Sequence, residues 1–429
     1  MKIATLKKKF GDEGIWRAAG YYACRLITKI TMRLVGLYTK YFSKVCQKRI
    51  LFKNRLQQDF SDNARALFEY LIENNYNEKY EIIWAVSSPA QFKGLSYKNV
   101  RFVTAENLFG WTSPAAFYYG NTAKYYFYTN NTADLNRYHC RGQLVINLWH
   151  GCGYKGSTHK NTNIPRSDTM EMFDYALVPG PAFVETKSNY WECAREAILP
   201  IGYPRYDWML DKKNNRNNIL HDLFGWETDK EKVVIWMPTF RKNSLTGYAE
   251  NEIELPFELP GLMEESELHE LDLFCQKENI LLIIKKHPLQ NKWSYQSNMQ
   301  NICYVTDDFL KEKKVQLYCL VGICDALISD YSSVAVDYLL LDRPLAFVLA
   351  DYEAYADTRG FVFENPLAYM PGPKLYCLKD IKEFLNQVSD GRDLWREERH
   401  RLLPHMHNIT GNYRKRIADV IFNMGTTEC

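Results

Sequence analysis

The chain has 429 residues, 46% hydrophobic and 24% charged. That composition excludes a disordered or fibrous polymer and calls for two cores of ordinary size. Its net charge of +3 hides an asymmetry: residues 1–55 hold 14 Lys or Arg against Asp12 and Glu13, and the rest is net acidic. An acidic body argues against nucleic acid as a partner and leaves the N-terminal segment as the place for an anionic surface.

The 11 cysteines are scattered singly, with no C-x-x-C pair. No disulfide framework or zinc knuckle is expected, and such thiols suit a reducing compartment. No signal-peptide pattern is present, and no apolar run approaches the roughly 20 residues needed to span a bilayer.

In chain order, Ile15 to about Lys53 lacks proline and carries Ile27, Ile30, Leu34, Leu37, Tyr41 and Val45 at helical spacing. Arg25, Lys29 and Arg33, then Lys40, Lys44 and Lys48, form cationic rows, with Trp16, Tyr21, Tyr22, Tyr38 and Phe42 among them. Such a helix suits the headgroup layer of an anionic membrane; the alternative is a helix packed on the body with a solvated basic face. The spacing predicts one amphipathic segment over 15–53.

Helices and strands then alternate. A helix is expected at Ala64–Asn74, and strands at Tyr80–Val86, Val100–Thr104, Ala123–Tyr128, Gln143–Leu148 and Phe173–Val178. A helix near Ala182–Arg195 follows. After the polar run Asn214–Asn218 a second series begins. It has strands at Val233–Met237, Ile280–Lys285, Ala326–Ser329 and Leu345–Leu349, and helices at Leu268–Glu278 and Ser333–Leu341. Short Val/Ile/Leu-rich runs separated by helices indicate parallel sheets covered on both faces. The expected fold is α/β, two Rossmann-like domains facing across a cleft. The expected division is a basic segment at 1–55, a first domain at 56–207, a second at 208–385, and C-terminal helices at 386–429 packing back on the first domain.

Four clusters fall just after expected strands, where ligands bind in such sheets. Trp149-His150-Gly151-Cys152-Gly153-Tyr154-Lys155 places an imidazole among glycines, suiting a general base. Pro238-Thr239-Phe240-Arg241 offers a hydroxyl and a guanidinium to a phosphate or base edge. Lys285-Lys286-His287-Pro288 would neutralise a pyrophosphate and protonate a leaving phosphate. Ile328-Ser329-Asp330-Tyr331-Ser332-Ser333 turns into a helix that either serine could cap, with N–H groups suited to phosphate. Asp337, on the same helical face, is a carboxylate in an apolar run, so a specific partner is expected for it. No metal site is expected: His405 and His407 are isolated, and no D-x-D is evident.

Taken in order, Trp149–Lys155, Gly202–Asp207, Pro238–Arg241, Lys285–His287 and Ser329–Asp337 resemble the CDP-glycerol glycerophosphotransferase family of teichoic-acid and capsule biosynthesis. Arg359-Gly360-Phe361 and Pro371-Gly372-Pro373 resemble further family elements. The resemblance implies a glycosyltransferase-B-type fold with the acceptor held by the first half and the CDP donor by the second. It implies His150 as the base for the acceptor hydroxyl and His287 as the group at the departing CMP phosphate. Donor contacts are expected from Gly151, Cys152, Lys155, Arg205, Pro238, Thr239, Arg241, Lys285, Lys286, Ser332, Ser333 and Asp337.

The implied partners are CDP-glycerol or another CDP-polyol, a lipid-linked polymer acceptor, and an anionic membrane surface met through residues 15–53. No cofactor is implied. The implied location is peripheral, on the cytoplasmic face of a bacterial membrane. A glycosyltransferase of the same fold using a nucleotide sugar is the alternative. Two departures from the family pattern stand out: Cys152, Gly153 and Tyr154 replace T-P-x, and Lys285 replaces an Arg.

Overall fold

The computed structural model describes residues 14–54, 60–129, 133–136, 138, 140–156, 173–225, 230–239, 259–286, 299–408 and 410–427. Arg241 and His287 lie outside the described residues.

The first sheet has seven strands: β1 (Cys46–Lys53), β2 (Glu81–Val86), β3 (Val100–Thr104), β4 (Ala123–Tyr128), β5 (Leu144–Asn147), β6 (Tyr175–Leu177) and β7 (Ile198–Leu199). They lie in the order β3-β2-β1-β4-β5-β6-β7, and every pair is parallel. The second has six: β8 (Lys232–Trp236), β9 (Ile280–Lys285), β10 (Ile302–Val305), β11 (Ala326–Ser329), β12 (Leu345–Val348) and β13 (Lys374–Leu375). Their order, β10-β9-β8-β11-β12-β13, is again all parallel. Each sheet reverses its direction of growth beside its first strand, between β1 and β4 and between β8 and β11. Chain crossovers diverge there and open a crevice at the C-terminal strand ends. The two-domain Rossmann-like architecture expected from the sequence is the one observed.

The helices used below are α1 (Gly14–Phe42), α2 (Asp62–Glu73), α3 (Pro114–Thr122), α4 (Val184–Trp191), α5 (Tyr206–Leu210), α6 (Glu265–Lys277), α7 (Leu317–Ile323), α8 (Val334–Tyr338), α9 (Leu378–Ser389), α10 (Arg396–Met406) and α11 (Tyr413–Thr427). Leu268, Leu271 and Cys275 of α6, with Ile381 and Leu385 of α9, seal one face of the second sheet against Val234, Leu282 and Ile328. The C-terminal α11 packs on the first domain, where the Phe422 ring lies 4.5 Å from Tyr125 and 4.9 Å from Tyr76.

The segment read as one helix over 15–53 is two elements. The helix stops at Phe42, and Cys46–Lys53 is the central strand of the first sheet, with Ile50, Leu51 and Phe52 fully buried. Val45, Lys44 and Lys48 therefore do not continue the helical stripes. The error has a physical source: a short run such as Ile50-Leu51-Phe52 fits helix and buried strand alike, and only pairing on both sides selects the strand. Within α1, Met32 and Val35 pack onto the core beside α3. Thr28 also accepts from the Thr112 amide at 3.2 Å and donates to the Gly110 carbonyl at 3.2 Å.

Candidate active site

The loop after β5 carries His150. Trp149 before it has φ +51°, a left-handed conformation that a bulky residue adopts only when its surroundings hold it. Two contacts do so. Asn63 of α2 donates to the Trp149 carbonyl at 2.9 Å, and the Trp149 ring stands edge-on to Trp191 at 5.0 Å. The imidazole of His150 lies 4.0 Å from the Trp149 ring, and its Nδ1 is 3.2 Å from the Thr129 carbonyl. A carbonyl only accepts, so Nδ1 carries the proton and Nε2 is the basic nitrogen of the neutral ring. Thr129 directly follows β4 at the first switch point, and its hydroxyl donates to Asn54, the residue after β1. The base candidate is thus oriented by the crevice itself.

Glycines bring this loop against the second domain. A Cβ at Gly151 (φ +133°) would lie 2.4 Å from Ser333 Oγ, and one at Gly153 would lie 2.7 Å from the Ser333 amide nitrogen. Only the absence of side chains lets the His150 loop and the Ser332–Ser333 turn touch. Beyond it, Gly156 donates to the Gly360 carbonyl at 2.9 Å, and Lys155 bridges to Phe361. Tyr154 is buried and donates through its hydroxyl to the Tyr369 carbonyl at 2.9 Å. The departure from the family pattern at 152–154 therefore has a structural content. Tyr154 anchors the loop in the second domain, and Cys152 buries its thiol 3.3 Å from the Tyr203 hydroxyl. Burial pushes that thiol's pKa up.

Ser333 occupies the position before α8 but makes no side-chain cap, so the turn is not explained by capping. Thr239 sits at the second switch point. Its amide donates to Asp330 at 2.7 Å and its hydroxyl to the same carboxylate at 2.5 Å. That pairing fixes Pro238–Thr239 beside the turn that leads to Ser332. Lys285 ends β9, one strand over from β8, or about 5 Å. Its ammonium pairs with Asp307 at 2.7 Å and donates to the Lys286 carbonyl at 2.7 Å. Burial lowers its pKa, and Asp307 partly offsets that. Lys286 lies with its ammonium 5.2 Å from the Tyr304 ring centroid.

Arg205 and Asp337 meet each other rather than standing open. Arg205 reaches Asp62 at 2.8 Å and Asp337 at 2.9 Å, with side-chain exposures of 5% for Arg205 and 0% for Asp337. Tyr206 and Tyr318 both donate to Asp337, and the guanidinium lies 4.2 Å over the Tyr318 ring. Burial opposes the arginine's charge, but Asp62, Tyr318 and Asp337 outweigh it and hold the pKa well above the usual value. The specific partners expected for Asp337 are in this structure Arg205 and the phenols of Tyr206 and Tyr318. The cluster ties α2 and the Gly202–Asp207 segment of the first domain to α7 and α8 of the second.

Two residues in these networks were missed. Asp62 (φ +54°) and Asn63 begin α2; Asn63 is fully buried and also accepts from the Arg205 amide at 3.3 Å. An Asp-Asn pair opening a helix reads as a cap, and nothing local signals contacts with residues far along the chain. The structure thus brings together His150, Gly151, Cys152, Lys155, Arg205, Ser332, Ser333 and Asp337 at the domain junction, with Pro238 and Thr239 at the second switch point. Among the described residues, no group of three or more His, Cys, Asp or Glu side chains is placed to hold a metal ion.

Comparison with known proteins agrees with this geometry. The chain is 27% identical over 380 residues to a teichoic acid poly(glycerol phosphate) polymerase of Bacillus spizizenii (strain ATCC 23059 / NRRL B-14472 / W23), covering 85% of this chain and 88% of that one. It is 26% identical over 391 residues to a teichoic acid glycerol-phosphate transferase of Staphylococcus aureus (strain NCTC 8325 / PS 47), covering 84% and 91%. The wall teichoic acid polymerase TagF superposes with a TM-score of 0.69 at 19% identity, over 100% of this chain and 99% of that chain. A UDP-GlcNAc 2-epimerase from Neisseria meningitidis shares the fold at a TM-score of 0.50 and 12% identity, over 87% and 99%. The profile of one family matches residues 37–423, both sheets and the junction between them, and the chain belongs to that family, CDP-glycerol:poly(glycerophosphate) glycerophosphotransferase.

Proposed function

We propose that this chain transfers glycerol phosphate, or a closely related polyol phosphate, from a CDP-linked donor to a teichoic-acid-like polymer or its primer. The single observation that carries the reading is the docking of the His150 loop onto the Ser332–Ser333 turn through Gly151 and Gly153. A base from one domain and a phosphate-binding turn from the other then share one point. His150 Nε2 takes the proton of an acceptor hydroxyl as its oxygen attacks the distal phosphorus of the donor. The new O–P bond forms as the bond to the bridging oxygen breaks, and CMP leaves. Such a reaction needs an activated oxygen, alignment and charge neutralisation. Ser332, Ser333 and nearby backbone N–H groups are assigned to the donor phosphates, with Thr239 and Pro238 on the nucleotide side. Arg205 and Asp337 hold the two halves in register. The test is CMP release from CDP-glycerol with an oligo(glycerol phosphate) acceptor. His150→Ala is expected to lower kcat by about 10²–10⁴-fold while donor affinity measured by calorimetry stays unchanged. Unaltered turnover would remove His150 as the base.

The same reading includes attachment to an anionic membrane on the cytoplasmic side, where the nucleotide donor would be met. Among the described residues no helix is long and apolar enough to cross a membrane. Yet α1 exposes Leu26, Ile27, Ile30, Leu34, Leu37 and Tyr41 on the face away from Met32 and Val35. Lys29, Arg33 and Lys40 run along one edge of that face. From Leu26 to Tyr41 that face runs for about 23 Å along the helix, a surface suited to the headgroup layer. Replacing Leu34 and Leu37 with Glu should weaken partition onto phosphatidylglycerol vesicles at least about tenfold and leave turnover of a soluble acceptor intact. Undiminished partition would show that α1 does not make the contact.

A further inference from the structure

Between α1 and α3 runs an open groove of about 430 Å³, lined by Leu34, Val35 and Tyr38 on one side and Ala115, Tyr118 and Tyr119 on the other. It is not part of the cleft, and nothing in the transfer chemistry uses it. Its lining is hydrocarbon and aromatic ring. Leu34 and Tyr38, 62% and 54% exposed, belong both to the groove and to the apolar face of α1. At about 100° per residue, that face has the cations Lys29, Arg33 and Lys40 along one edge and the groove along the other. A molecule entering from that side thus passes from one apolar surface into another without crossing a charged row.

The groove also has a direction. The segment Ala105–Ser113 leaves the C-terminal end of β3, and Ser113 caps α3 by accepting from the Ala116 amide at 3.2 Å. The end of the groove at Pro114 and Ala115 therefore lies on the edge of the first sheet from which the His150 loop also emerges. Its other end points away from the cleft, alongside α1 as that helix returns to β1. An amphiphile lying in it, head toward Pro114, would hold its polar end on the catalytic edge.

We propose that this groove seats the hydrocarbon chain of a lipid-linked acceptor, so that the acceptor is recognised by its anchor as well as by its terminal hydroxyl. The proposal rests on the membrane-surface reading given above. It accounts for apolar surface on the domain that carries the base, at a place where bulk membrane contact requires only a convex helix face. Aromatic rings in its wall, Tyr118 and Tyr119, are braced from beneath by the Arg49 guanidinium, 5.7 and 4.8 Å from their centroids. Arg49 is itself held by Glu81 at 2.8 Å, so the wall is preformed rather than assembled on binding.

The test uses the full chain on phosphatidylglycerol vesicles and two probes: a glycerol-phosphate primer on a long isoprenoid chain, and the same primer on a short water-soluble chain. Ala115, exposed at the start of α3, is replaced by Trp to fill the groove. Ala115→Trp is expected to raise KM for the long-chain primer about tenfold and to leave both vesicle partition and KM for the short-chain primer unchanged. A long-chain primer bearing a diazirine in its tail should crosslink to residues 34–38 and 114–119. This second measurement is made on the unmodified chain and does not depend on how the variant folds. Equal effects on both primers, no effect on either, or crosslinks spread along the convex face of α1 would overturn the proposal. Failure of the unmodified chain to bind vesicles would overturn the membrane reading and the proposal with it. Absence of CMP release with the short-chain primer would instead sink the transfer reaction.

Discussion

If Arg205 and Asp337 lock the domains together rather than gripping the donor, their loss must appear first as instability. Arg205→Met leaves the Asp337 carboxylate, 0% exposed, with only the Tyr206 and Tyr318 hydroxyls to stabilise it. Removing one partner of a buried ion pair costs about 3–5 kcal/mol. Asp337→Asn keeps the shape and leaves Arg205 with Asp62 at 2.8 Å, so the loss of charged hydrogen bonds should cost less, about 1.5–3 kcal/mol. The double variant should fall short of the sum by at least about 1 kcal/mol, because each single change already breaks the shared contact. Urea unfolding followed by tryptophan fluorescence measures the stabilities, and calorimetry with CDP-glycerol measures donor binding in parallel. Stability within about 0.5 kcal/mol of the unmodified protein, together with a collapse of donor affinity, would refute the lock and return both residues to the ligand.

Two further outcomes follow from the same geometry. Gly153→Ala would force a methyl to 2.7 Å from the Ser333 amide nitrogen. It should cost about 1–3 kcal/mol and slow CMP release by separating the two loops; an unchanged melting temperature and rate would show that the loops do not need to touch. Lys374, whose ammonium is half-buried near the Trp395 ring, has its pKa lowered by burial from 10.5 to about 8. Between those values the unfolded chain binds more protons at this side chain than the folded one, so the Lys374 contribution to stability should rise with pH from about 8. Buried thiols such as Cys275 and Cys319, pushed up by burial to about 12 and about 11, oppose it from about pH 8.5 as the unfolded chain ionises, and buried tyrosines such as Tyr154 do so above about pH 10. The slope of melting temperature against pH between about 7 and 9.5 should be less positive in Lys374→Met than in the unmodified protein, and identical slopes would refute the assignment.

Much of the architecture is legible in the residues because central parallel strands are buried on both faces. Ile280–Lys285 and Ala326–Ser329 stand out as unbroken apolar runs, and the structure places strands over those same residues. Pairs of residues on short edge strands carry no such signal, and β7 and β13, of two residues each, exist only because a neighbouring strand offers its hydrogen bonds. The first strand was absorbed into the preceding helix because Val45 fell on the helical period by chance. Site residues divide in the same way. His150 and the Ser332–Ser333 turn announce themselves by following strands, a local property. Asp62 and Asn63 do not, because their partners lie far away in the chain.

The amino-acid sequence by itself determined the alternation of strand and helix, the concentration of positive charge in the first 55 residues, and the residue types at the strand ends. Those follow from periodicity and local chemistry, which any short window contains. Only the tertiary structure decided that Asp337, a carboxylate in an apolar run, is neutralised by Arg205, 132 residues away. Only it showed that the glycines after His150 are spaces for Ser333, and that the described residues of the body leave the apolar face of α1 exposed. Each of these depends on which surfaces meet once two sheets are built and docked, and no local pattern encodes that meeting.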